Sequence, residues 1–243
     1  MSDTTPALIE TRALTKAYNV LPVLRKLDLA IARGEFVALL GPNGSGKSTL
    51  LRLLAGLSRP TGGKILVGGW ELPGEAAAVR GQIGFVSHQA LLYENLTARE
   101  NLRFFARLYA LPEMDARIDA LLAQVGLRRR ADSLVRTFSR GMQQRLSIAR
   151  ALLHSPDVLL LDEPYTGLDQ DAAQTLDNLL RAAHAEGRTI VMTTHQLERV
   201  PALASRVLIL TRGSIGYDAP ATVCDALALS AVYTEVTSMA AAR

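Results

Sequence analysis

Gly41-Pro42-Asn43-Gly44-Ser45-Gly46-Lys47-Ser48 is the stretch of this chain whose residue types and spacing are most suited to chemistry. A glycine, four residues and then Gly-Lys-Ser is the pattern of a loop that cradles phosphate. Successive backbone N–H groups can wrap dense negative charge only where side chains do not intrude, which calls for glycine. A helix starting just after the loop adds unpaired N–H groups and a partial positive charge. Lys47 brings a full charge to the β- and γ-phosphates of a nucleotide, and the Ser48 hydroxyl can ligate Mg²⁺. The second reactive stretch is Val158-Leu159-Leu160-Leu161-Asp162-Glu163, an apolar run ending in two acids. Carboxylates at a buried strand tip are costly without a partner, and bound Mg²⁺ is such a partner. Asp162 would assist the ion held by Ser48, and Glu163 would orient or deprotonate an attacking water.

These groups need elements to hold them. Residues 36–40 are a short apolar strand leading into the loop, and Leu50, Leu51, Leu53, Leu54 and Leu57 recur at helical spacing after it, with a stop near Gly56. Upstream, residues 8–18 and 24–31 read as strands joined by a short turn around Pro22. Residues 64–67 and 83–87 are further strands. Thr97-Ala98-Arg99-Glu100 is a capping box opening a helix to about Tyr109, and Pro112 starts another that ends at Gly126. Arg128 to Arg130 is a basic run at a solvated helix end, and residues 141–153 form a third helix. The remainder alternates: strand 157–161, helix 169–186, then strands 189–193, 207–210 and 214–217, with an Ala-rich helical tail after Pro220. Strands separated by helices imply a parallel sheet covered on both faces.

Composition bounds the class. The chain has 243 residues, 49% hydrophobic and 21% charged, with 27 basic against 23 acidic side chains and a net charge of +4. That is an ordinary globular mixture, too weakly basic to call for nucleic acid. The lone Cys224 cannot form an internal disulfide and reads as a small semi-buried side chain, consistent with a cytoplasmic setting. Residues 1–10 lack a basic start and an apolar core, so no secretory signal is expected. No apolar run approaches the ~20 residues needed to cross a bilayer, so in any transport role another chain must form the pore.

Ser139-Arg140-Gly141-Met142-Gln143-Gln144-Arg145, placed shortly before the acidic strand, resembles the signature loop of the nucleotide-binding subunits of ABC transporters. The resemblance extends over residues 8–216 and six motifs in the family's order. It implies one domain of α/β fold: a P-loop NTPase with a mainly parallel sheet flanked by helices, an N-terminal antiparallel β subdomain and an inserted helical subdomain. The expected division is about 1–89 and 154–220 for the nucleotide-binding core, 90–153 for the helical subdomain and 221–243 for the tail. The signature departs from the common Leu-Ser-Gly-Gly-Gln: Phe138-Ser139-Arg140-Gly141-Met142 keeps Ser139 and Gly141 but cannot make a glutamine's contacts at Met142. This variant is similar to exporters of the ABC-2 type.

The resemblance also implies roles. ATP and Mg²⁺ would be bound by Gly41, Pro42, Asn43, Gly44, Ser45, Gly46, Lys47, Ser48 and Thr49, with Tyr18 stacking on adenine. Gln89 would sense the metal and the attacking water alongside Ser48 and Asp162. Glu163 and His195 would act on the γ-phosphate, His195 as the switch histidine. Asp169, in Gly167-Leu168-Asp169, would communicate across an ATP-dependent dimer with a second copy or a homologous ATPase, in which Ser139 and Gly141 of one copy face residues 41–49 of the other. An integral membrane transporter subunit would be the partner, at the cytoplasmic face of a bacterial inner membrane. Residues 100–109 and 163–169 look similar to the ATPase of the haem exporter of cytochrome c maturation, making haem export the expected cargo; an ABC-2-type drug or polysaccharide exporter, or a non-transport ABC ATPase, are the alternatives. Phe104, Phe105 and Tyr109 are either helix-face core or a contact with the membrane partner. His88, His154 and His184 fit no motif.

Overall fold

The structure, a computed structural model, describes residues 7–221 and 225–241. Cys224 lies outside the described residues. The strands are β1 (Ala7–Tyr18), β2 (Leu21–Ala32), β3 (Phe36–Leu40), β4 (Gly62–Val67), β5 (Trp70–Leu72), β6 (Ile83–Val86), β7 (Val158–Asp162), β8 (Thr189–Thr193), β9 (Arg206–Thr211) and β10 (Ser214–Pro220). The helices are α1 (Lys47–Leu54), α2 (Ala76–Gln82), α3 (Ala98–Leu108), α4 (Met114–Gln124), α5 (Arg140–Leu152), α6 (Gln170–Ala185), α7 (Val200–Leu203) and α8 (Ala226–Ala241).

One sheet is antiparallel, in the order β2-β1-β4-β5, and the other has six strands in the order β10-β9-β3-β8-β7-β6. In the second, β9, β3, β8, β7 and β6 run parallel and only β10 is antiparallel. The expected mainly parallel sheet with an N-terminal antiparallel sheet is therefore what forms. β3 shows why its sequence is apolar throughout: all five of its residues are buried. Phe36, Ala38 and Leu40 join the core shared with α3 to α6, whereas Val37 and Leu39 join the core shared with α1 and the antiparallel sheet. A strand covered on both faces cannot alternate with polar residues. Each fully buried Leu or Ile contributes roughly 1.5–3 kcal/mol relative to exposure.

Local signals account for the ends. The Thr97 hydroxyl accepts from the Glu100 N–H and the Glu100 carboxylate accepts from the Thr97 N–H, so the capping box is complete. α1 ends at Leu54, and Gly56 follows with φ 66°, a left-handed position suited to glycine. Two expectations are corrected, and two elements are new. The β1–β2 turn is Asn19-Val20, with Asn19 at φ 54°, and Pro22 lies within β2 opposite Ala17. This costs no ladder bond, because β2 is an edge strand and tolerates a residue without an N–H. α4 starts at Met114, after a left-handed Glu113, and not at Pro112. Finally, β5 and α2 have no counterpart in the sequence reading; a three-residue edge strand and a helix burying only Val79 carry too little periodicity to detect.

Candidate functional site

The carboxyl ends of four adjacent parallel strands converge. β3 leads into residues 41–48, β8 into His195, β7 ends on Asp162, and β6 leads toward Gln89. Open α/β sheets place ligands beyond the carboxyl ends of their strands.

The loop after β3 is shaped by its glycines. Gly46 precedes α1 at φ 112°, and a Cβ there would come within 2.8 Å of Leu24 Cδ2. At Gly41 a Cβ would sit 2.2 Å from the Leu210 carbonyl oxygen. Lys47 is buried and its Nζ donates to the carbonyls of Gly41 (2.7 Å) and Pro42 (3.2 Å), so the ammonium is folded back over the loop. Burial pushes the Lys47 pKa down, against the opposing pull of Glu163 and Asp162. Ser45 Oγ is buried with no hydrogen-bond partner. An orphaned hydroxyl beside a buried ammonium fits an anionic oxygen as its missing acceptor. Pro42, Asn43, Gly44 and Ser48 are exposed and Thr49 is half-buried in the first turn of α1.

Two segments distant in sequence meet here. Ser48 Oγ donates to Asp162 Oδ1 at 3.0 Å, across 114 residues. Thr193 Oγ1 donates to the same oxygen at 2.9 Å and accepts from the Glu163 N–H at 2.8 Å. The adjoining Glu163 backbone is left-handed, with φ 52°, a strained position for a side-chain-bearing residue. His195 Nε2 lies 3.1 Å from Glu163 Oε1, at ion-pair distance but without hydrogen-bond alignment. Burial raises the Glu163 pKa, opposed by His195 and Lys47 and reinforced by Asp162. The donor set, one hydroxyl and one carboxylate with a second acid beside them, is oxygen-rich and suits a hard cation such as Mg²⁺.

Gln89 and Glu163 line one cavity of about 580 Å³, together with His88, Arg140 and Gln144. Gln89 is exposed on the loop after β6, its carbonyl accepting from Ser87 Oγ. Tyr18 is half-exposed at the end of β1, with the Lys16 ammonium 4.7 Å from its ring centroid. Its hairpin partner β2 packs on the phosphate loop through Val23 and Leu24.

Ser139 and Asp169 are both helix N-caps. Ser139 Oγ accepts from the Met142 N–H at 3.3 Å at the start of α5, and Asp169 Oδ1 accepts from the Ala172 N–H at 2.8 Å at the start of α6. A cap uses a lone pair, so the exposed Ser139 hydroxyl keeps its O–H to donate. A Cβ on Gly141 would lie 3.7 Å from Ala172 and Leu168, so the two helix starts adjoin. Among the described residues, no hydrogen bond joins Ser139 or Gly141 to residues 41–49. Within one chain, then, the loop and the acids are brought together and the signature residues are not joined to them.

Of the aromatic residues on α3 and just beyond it, Phe105 packs against the core under the Arg150 guanidinium, while Phe104 and Tyr109 stay partly exposed. Tyr109 stacks on His154, whose imidazole is pushed by burial down to about 4. His184 Nε2 lies 2.8 Å from the Gly34 carbonyl. The residue that sequence reasoning missed is Thr193; a threonine closing a fully buried apolar strand just ahead of His195 was its signal.

A phosphate loop, an acidic strand tip and a histidine at the carboxyl edge of one parallel sheet define a P-loop nucleotide triphosphatase of the ATP-binding-cassette class. A family model described as ABC transporter matches residues 24–166. The chain belongs to the ABC transporter family. It is 40% identical over 209 residues to the Nod factor export ATP-binding protein I of Cupriavidus pinatubonensis, covering 85% of this chain and 64% of that protein. It is 39% identical over 202 residues to the ABC transporter ATP-binding protein NatA of Bacillus subtilis, covering 82% of each. Among solved structures, the dimeric post-hydrolysis state of the ATP-binding cassette MJ0796 bound to ADP and Pi superposes with a TM-score of 0.82 at 29% identity, over 88% of this chain and 98% of that one. No helix among the described residues is long and apolar enough to cross a membrane.

Proposed function

We propose that this chain binds and hydrolyses ATP as the cassette subunit of an exporter, closing as a dimer on nucleotide and driving a separate integral membrane subunit. The observation that carries the reading is the convergence of the Ser48 and Thr193 hydroxyls on one carboxylate oxygen of Asp162, beside Glu163 and Lys47. Residues 41–49 hold the phosphates through backbone N–H groups, the Ser45 hydroxyl and the Lys47 ammonium. Tyr18 offers a ring face at the hairpin edge for the base. Ser48, Asp162 and Gln89 are the residues that would hold Mg²⁺, which when bound neutralises charge on the β- and γ-phosphate oxygens. Glu163 orients the attacking water and accepts its proton, and His195 lies beside Glu163 to contact the γ-phosphate.

Ser139 and Gly141, unconnected to the phosphate loop of their own chain, serve the loop of a second copy in this reading, with Asp169 adjoining them. The dimeric MJ0796 cassette supports pairing with a second copy. A single domain with a nucleotide-binding core and a helical subdomain fits the way one apolar core runs from α3, α4 and α5 into the parallel sheet. Export is supported by the Nod factor export role of the Cupriavidus pinatubonensis relative, and an ABC-2-type cargo accords with the Ser139-Arg140-Gly141-Met142 signature. The narrower expectation of haem export draws no support from the relatives named above. A peripheral position on the inner face of a bacterial membrane follows from the exporter reading, and no nucleic-acid partner enters it.

Two substitutions separate binding from chemistry. Glu163→Gln should retain nucleotide binding while lowering ATP turnover by ~100-fold or more, and Lys47→Ala should remove turnover by loss of the phosphate contact. Phosphate release by the full chain checks both; unchanged turnover in either variant removes that residue from the mechanism.

A further inference from the structure

Two loops carry the reacting groups: the one after β7 bears Glu163, and the one after β8 bears His195. Nothing in the motifs explains how these loops are held to each other beyond the Thr193 contact. A third residue joins them. Asp177, on α6, keeps only 4% of its surface exposed. Its Oδ1 accepts from the Tyr165 hydroxyl at 2.6 Å, and Tyr165 stands two residues after Glu163. Its Oδ2 accepts from the Arg199 guanidinium at 2.7 Å. Arg199 Nε donates to Gln196 Oε1 at 2.7 Å, and Gln196 follows His195 directly. The guanidinium also lies 5.2 Å from the centroid of the Tyr165 ring, closing the triangle.

We propose that Asp177 is a positioning residue for ATP hydrolysis, pinning the Glu163 loop and the His195 loop to one buried carboxylate so that both side chains meet the γ-phosphate in register. This rests on the ATPase reading above. A buried carboxylate persists only where charged and hydrogen-bonding partners satisfy it, and both oxygens are used here. Burial and the Asp177 hydrogen bond push the Tyr165 phenol up, so it stays a donor throughout the physiological range. The network contains no residue of the phosphate loop, so its loss should spare nucleotide binding. It acts through Glu163 and His195, whose side chains are 3.1 Å apart and must keep that spacing to act together.

The test uses the full chain and compares wild type with Asp177→Ala, Tyr165→Phe, Arg199→Gln and the double variant Tyr165→Phe/Arg199→Gln. Turnover is read by phosphate release below each variant's melting temperature, and binding by a fluorescent ATP analogue. Asp177→Ala should lower kcat by ~10- to 100-fold, the scale of a misplacement of about 1 Å, while the analogue's Kd moves less than about twofold. Tyr165→Phe removes one oxygen and keeps the ring, so it stays informative if Asp177→Ala fails to fold. Because both arms end on one carboxylate, the double variant should lose less than the product of the single losses. Unchanged kcat in the single variants, a loss confined to Kd, or fully multiplicative losses would each overturn the positioning role while wild-type turnover leaves the ATPase reading standing. A wild-type chain that neither binds the analogue nor releases phosphate overturns the ATPase reading, and this inference with it.

Discussion

Burial pushes the Glu163 carboxyl toward its neutral form, while His195 and Lys47 pull it back toward the charged one. A folded chain that holds this proton more tightly than the unfolded chain loses stability as pH rises from the ordinary carboxylate value of 4.5 through the raised one. Above that window the ionised side chain opposes folding by a constant amount. Glu163→Gln, neutral at every pH, should therefore raise the melting temperature more at about pH 7.5 than at about pH 4, where wild type is itself protonated. Scanning both proteins at the two pH values checks this; an equal gain at both would show that desolvation does not govern the carboxyl. Candidate site residues of this kind were legible in the sequence where type and spacing encode the chemistry: Gly41, Gly46, Lys47, Ser48, Asp162 and Glu163. Thr193 and Asp177 were not, because a lone threonine or aspartate carries no period and acquires its partners only when distant strands and helices meet.

Two helix starts in this chain are capped by residues that the proposed dimer also uses. Asp169 satisfies the first turn of α6, and Ser139 that of α5, so substitutions there mix stability with any role toward a second chain. The two can be separated. Asp169→Ala should cost about 1 kcal/mol of stability through loss of the cap, and Asp169→Ser should restore most of it. Urea denaturation measures the cap; ATP turnover of the stable Asp169→Ser variant then reports what the carboxylate adds beyond it. A serine variant as unstable as the alanine one would mean that the cap is not what Asp169 contributes. Elements with strong local punctuation were legible: the capping box of α3, the glycine stop of α1, and the apolar runs of β3 and β8. β5 and the true β1–β2 turn were not, since pairing to a neighbouring strand decides them more than their own residues do, and α2 was not, since its one buried residue, Val79, leaves no period.

In the assembled protein, a two-fold dimer would present Ser139 and Gly141 of each copy to the phosphate loop of the other, and such a contact is made twice. Ser139→Arg, placed on a Glu163→Gln background that slows hydrolysis, should leave monomer nucleotide binding intact and abolish the ATP-dependent dimer. Size-exclusion with light scattering distinguishes the outcomes; a dimer that forms normally with Arg at this position would remove the signature loop from the interface. Residue type and spacing were enough to determine the loop, the acids and the layered α/β class, because each depends on interactions within a few residues or on hydrophobic period, and the order of the motifs carried the family resemblance. Only the tertiary structure decided that β3, β8 and β7 lie so that Ser48, Thr193, Asp162, Glu163 and His195 are linked in one run of side-chain and backbone contacts. It alone bound the loops after β7 and β8 to a carboxylate on α6. The reason is geometric: hydrogen bonds between side chains more than a few residues apart depend on strand order and register, which leave no local trace in the chain.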